Sequence, residues 1–125
     1  MDALRTLHGA LAPGGYLVDT QPLSPRPPVF AGGERLGSLD MREWAGTIAS
    51  MDVQIERALD EGLFALEAQR WLVVNDVWDN GTECIEEVGD WEGTKVPRAL
   101  AAKIRTAPPP ITLEQEVRLR LLART

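Results

Sequence analysis

The stretch Leu4-Arg5-Thr6-Leu7-His8-Gly9-Ala10-Leu11-Ala12-Pro13-Gly14-Gly15-Tyr16-Leu17-Val18 decides the reading of this chain. Leu4, Leu7 and Leu11 repeat at helical spacing, which predicts an amphipathic helix over residues 1–12. Pro13 cannot continue the helical hydrogen-bond ladder, and Gly14 and Gly15 accept the backbone angles of a sharp exit. Tyr16-Leu17-Val18-Asp19-Thr20 then reads as a strand. Its nearly continuous hydrophobics suit a strand covered on both faces. A helix, a glycine turn and a buried strand in direct succession mark an α/β protein.

Working outward, residues 22–33 carry Pro22, Pro25, Pro27 and Pro28 and the pair Gly32-Gly33, which predicts a stiff exposed loop. A brief strand is expected over Glu34 to Leu39. A long helix follows, with Asp40 and Glu43 at capping-box spacing. Met41, Trp44, Ile48, Met51, Ile55 and Leu59 form its apolar stripe, and Gly62 ends it. Glu67 to Trp78 reads as a long strand, apolar on both parities and so expected to be covered on both faces. Asp79-Asn80-Gly81 turns the chain into a short helix from Thr82 to Trp91, and Pro97 opens another to Thr106. From Ile111, Leu113, Val117, Leu119 and Leu121 alternate with Glu114, Glu116, Arg118 and Arg120, predicting a strand with charges outward. Gln115 breaks the apolar parity. The expected fold is a single α/β domain over residues 1–125. It has a small mixed sheet of about three to four strands with helices packed on it.

The composition narrows function by exclusion. The 125 residues include 13 Lys and Arg against 19 Asp and Glu, a net charge of −6. That opposes an electrostatic grip on nucleic acid or an anionic membrane. One cysteine, Cys84, excludes an internal disulfide and fits a reducing, cytoplasmic setting. With one histidine, His8, too few soft ligands exist for a zinc site, and no metal is expected. No apolar run approaches a membrane span, and no export signal is apparent. No G-x-G, Walker loop or G-x-S-x-G elbow occurs, so neither catalytic nor cofactor-binding residues can be assigned. His8 reads as a solvated or capping residue, and Cys84 as a small core residue. Of the four tryptophans, Trp44, Trp71 and Trp91 read as core; Trp78 reads first as core or edge packing and is also the best candidate for a pocket wall.

The Leu-x-Pro-Gly-Gly stretch at Leu11 to Gly15, with the leucines before it and the strand after it, resembles class I S-adenosylmethionine-dependent methyltransferases. There, such a helix leads into the fifth sheet strand. The resemblance implies a sixth strand at Glu67–Trp78 and an antiparallel seventh strand after Ile111, lying between the fifth and sixth, with residues 82–106 as an insertion. It also implies the C-terminal half of a Rossmann-like methyltransferase, lacking the half that holds the cofactor. No cofactor is therefore expected, and catalysis by the isolated chain is not. The expected function is a non-catalytic, methyltransferase-like binding or interaction module. The alternative is the substrate-side subunit of a split methyltransferase. Removing the neighbouring strand would leave the Tyr16–Thr20 edge open, so a homodimer through that edge is expected. If Tyr16–Thr20 and Glu67–Trp78 are parallel, their ends should bring Gln21 to Trp78, Asp79 and Asn80, forming a cleft for a small molecule. A protein partner is the other ligand class expected.

Overall fold

A computed structural model describes residues 3–125. The chain is a mixed α/β protein with a five-stranded, antiparallel, open sheet and four helices. The elements are α1 (Ala3–Ala10), β1 (Tyr16–Pro22), β2 (Pro28–Ala31), β3 (Glu34–Ser38), α2 (Arg42–Asp60), β4 (Phe64–Trp78), α3 (Gly81–Gly89), α4 (Arg98–Thr106) and β5 (Ile111–Arg124). The first two residues of the helix expected over 1–12 lie outside the described residues.

The strand β5 is the axis of the sheet. β4 pairs along its whole length on one side, from Trp78 opposite Ile111 to Phe64 opposite Arg124. On the other side β1 pairs with its second half, Pro22 opposite Val117 to Tyr16 opposite Ala123. β2 pairs with its start, Val29 opposite Leu113 and Ala31 opposite Ile111. Because β5 is antiparallel to both β1 and β4, those two strands run in the same direction.

Five strands replace the three or four expected, because Pro28–Ala31, read as loop, is a strand that pairs in a hairpin with the expected strand at Glu34–Ser38. Gly32 (φ 57°) and Gly33 (φ 84°) both take the left-handed region that a two-residue hairpin turn demands. Pro28 sits at the first position of its strand, where its missing N–H costs least. Val29 and Ala31 bury their side chains, and Pro27 is fully buried.

The core has two parts. One lies where β2, β5 and the end of β4 meet α3 and α4, with Val29, Trp78, Cys84, Val88, Leu100, Ile104, Ile111 and Leu113 among its members. Gly81 is required there, since a Cβ would stand 2.2 Å from the Ile104 carbonyl oxygen. The smaller part joins α1 and α2 to the other end of the sheet through Leu4, Ile55, Ala58, Phe64 and Leu122. His8 is not simply solvated: its ring stands edge-on to Phe64, with centroids 5.7 Å apart.

Three packing expectations are corrected. Tyr16 and Val18 of β1 are exposed, although Leu17 turns towards α1 and α2. On β4, Leu66, Trp71, Leu72, Val73, Val74 and Val77 are all exposed, because it is an outer strand with no described element over most of either face. On β5 Glu114 and Glu116 are exposed as expected, but Arg118 is partly buried and Arg120 is 2% exposed beneath α2. A central strand is packed on both sides, so its polar parity meets a helix here and not water. At the start of α2, Met41 is the cap residue. Asp40 instead accepts a hydrogen bond from the Arg42 backbone N–H at 3.2 Å and two from its guanidinium at 2.9 Å.

Candidate functional site

Two polar features stand out on the sheet, one on each face. The first lies under α2. The Arg120 guanidinium meets Asp19 of β1 at 3.0 Å, Asp52 of α2 at 2.7 Å and Glu56 at 3.4 Å. Arg118 meets Asp52 at 2.8 Å and donates to the Gln21 side-chain oxygen. Alternation on β1 and β5 places Asp19, Gln21, Arg118 and Arg120 on one face, and helical spacing brings Asp52 and Glu56 over them. Two cations against three carboxylates leave no net positive charge to draw an anion. The network is a structural clamp, buried at Arg120 and Asp19 and open to solvent at Glu56.

The second feature is a cleft of about 350 Å³ lined by Pro22, Met41, Trp44, Asp76, Trp91, Glu92, Thr94 and Gln115. Its construction begins where β1 stops. Leu23 N–H donates to the Glu116 carbonyl at 2.8 Å, and Met41 N–H to the Pro25 carbonyl at 2.8 Å, which sets the entry to α2. Asp40 and Lys95 exchange backbone hydrogen bonds at 2.9 and 2.8 Å, tying the loop after α3 to that entry. Trp44 N–H donates to the Gly93 carbonyl at 3.3 Å. Gly93 has φ +67°, and a Cβ there would lie 2.8 Å from the Trp44 nitrogen, so this approach needs glycine. Arg42, through its hydrogen bonds, holds the nearby Asp40 carboxyl well below the usual carboxylate range.

The aromatic wall rests on the core. Trp91 packs against Trp78 with ring centroids 6.2 Å apart and planes tilted by 47°. The Trp78 indole N–H donates to the Glu87 carboxylate. The polar part of the lining is a pair: Gln115, 8% exposed, donates through Nε2 to the Asp76 carboxylate at 3.1 Å. Apolar walls with a few fixed polar groups suit a small-molecule site. The lining holds no His, Cys, Lys or Arg, so it offers binding chemistry without an evident nucleophile–base pair.

The residues expected to form a cleft do not converge. Gln21 stands opposite Arg118 and Trp78 opposite Ile111, seven positions apart along β5 and on opposite faces of the sheet. β1 and β4 do point the same way, but β1 ends level with Leu72, and β2 takes the space beyond it beside β5. Gln21 is fully buried beneath α2. Trp78 is a core residue that supports the wall, Asp79 is exposed, and Asn80 caps α3 by accepting from the Glu83 N–H at 2.9 Å. Trp44 and Trp91, read as core, pack partly buried against it and also line the cleft. The signal for the polar pair was the break in parity at Gln115. An antiparallel register places its side chain on the same face as Asp76.

Among the described residues, no group of three or more His, Cys, Asp or Glu is placed to hold a metal ion. No described helix is long and apolar enough to cross a membrane. No protein-family model matches the chain, no curated protein matches it, and no solved structure matches it.

Proposed function

We propose that this chain is a non-catalytic, methyltransferase-like binding module of the cytoplasm that works as a self-associated pair and carries a small-molecule cleft. The observation that carries self-association is the distribution of exposed hydrophobics. Eight of the eleven large ones that are exposed lie on the two outer strands β1 and β4. Scattered apolar residues on a surface are ordinary, but a concentration on open sheet edges is a pairing surface. The strand arrangement supports the methyltransferase resemblance, since β5 lies between β1 and β4 and is antiparallel to both. The non-catalytic reading is supported by the lack of any Gly-rich cofactor loop within these residues and by the composition of the cleft. The cytoplasmic setting is supported by the single free, buried cysteine.

A second reading, the substrate-side subunit of a split methyltransferase, is favoured by one place on the surface. At the outer edge of β1, Leu4, Leu7, Leu17, Met51 and Ile55 border an apolar groove of about 280 Å³. A sheet continued from another chain would cover it. Native mass spectrometry separates the two readings. The expected result is a species of two chains with no S-adenosylmethionine adduct when that compound is added. A single chain that stays monomeric at tens of micromolar would contradict the first reading.

A further inference from the structure

The sequence places self-association at the Tyr16–Thr20 edge of β1, but β4 is the longer open edge and carries the more specific answer. No described strand pairs with its outer edge along its fifteen residues, a length of about 50 Å at the usual rise per residue. Natural edges are blunted by lysine, proline or bulges. Between Ala68 and Trp78 there is no lysine, no proline and no register shift, the one irregularity lying at Leu66/Ala68. Both faces are apolar, with Leu72 and Val74 on one and Trp71, Val73 and Val77 on the other. Such a strand specifies register weakly through hydrophobicity alone.

Charge supplies the register. In the regular stretch 68–78 the only charged residues are Arg70 and Asp76, three positions either side of Val73. We infer that β4 pairs antiparallel with β4 of a second copy about a two-fold axis at Val73, bringing Arg70 of each copy opposite Asp76 of the other. Leu72 then faces Val74 twice, Val73 faces itself, and Trp71 lies opposite Asn75 and diagonal to Val73. A two-fold axis normal to the sheet keeps each face continuous, so registers change in steps of two. The neighbouring registers set Asp76 against Ala68 or Leu72, and Arg70 against Val74 or Trp78. Each of these sets all four charges of the pair opposite apolar groups, with the opposite charge only at a diagonal position, a cost the chosen register avoids. Asp76 also accepts from Gln115 and lines the cleft. Each copy would thus bring a guanidinium to the rim of the other's cleft, whose own lining carries two carboxylates and no cation.

This inference rests on the self-association reading, and charge reversal tests the two separately. Sedimentation equilibrium would be run on the wild type, R70D, D76R and R70D/D76R, with circular dichroism confirming the fold. Arg70 is exposed and makes no described ion pair, so R70D should fold normally. The wild type is expected to be a dimer. Each single reversal turns two attractive cross-strand pairs into two repulsive ones and should weaken it at least about ten-fold. The double variant should recover to within about three-fold. A dimer indifferent to R70D but lost in V18K, which puts a lysine on the β1 edge, would overturn the β4 register and leave self-association standing. A monomeric wild type would overturn both.

Discussion

Cys84 shows how much a single side chain's surroundings decide. It is 1% exposed among Trp78, Val88 and Ile104. Burial pushes its thiol up to about 11 from an ordinary 9.0, with the Glu87 carboxylate adding to the shift. The folded state therefore holds a proton that the unfolded chain releases above about pH 9. Its stabilising contribution is complete below that pH and is lost as pH rises through the folded value. Urea midpoints measured from pH 8 to 11 should fall across the upper part of this range, and more steeply for the wild type than for C84A. At neutral pH the thiol should resist alkylation until the protein unfolds. The identity of Cys84 as core was legible, because a small apolar residue without a neighbouring cation has little else to do. The tryptophans were legible only in part: Trp78 is core, as its first reading has it, but Trp71 is not. Periodicity says which way a ring points, and only the neighbour decides whether it meets a core, a cleft or water. So Trp78 is buried, Trp44 and Trp91 line the cleft, and Trp71 is 62% exposed.

At the scale of elements, β5 was readable as a strand, correctly sided in its first half, where Glu114 and Glu116 are exposed, and misread as to side in its second. Its alternation is real, but polarity reports water only when one face of a strand is solvated. Here the parity of Arg118 and Arg120 lies under α2, while Leu119 and Leu121 on the opposite parity are only half-buried. The clamp formed by Arg120 with Asp19 and Asp52 makes a sharp prediction. Arg120→Ala would leave Asp19 buried without its cation and should destabilise by about 3 kcal/mol. Arg118→Ala, at a more exposed position, should cost about 1 kcal/mol. Urea denaturation of both variants checks the order as well as the size. β3 was legible, but its hairpin partner β2 was hidden for another reason: four prolines signalled a loop, yet Pro28 stands where a strand tolerates it and Gly32-Gly33 supply the turn.

At the scale of the whole molecule, the direction of the strands was legible, and the position of the site was not. The resemblance at Leu11–Gly15 implied that β5 would lie between β1 and β4, and the sheet has that order. A cleft at the ends of parallel strands required those ends to be level. They are not, because β1 has seven residues and β4 has fifteen. The same difference in length leaves β4 as a long open edge, and the account depends on that edge being covered in solution. Residue-resolved amide exchange, followed by NMR at several protein concentrations, tests this most directly. In a strand paired on one side only, alternate amides face outward and exchange freely. The account predicts that the outward amides of β4 are protected at high concentration and lose that protection together on dilution. Outward amides on β4 that exchange freely at every concentration would contradict it.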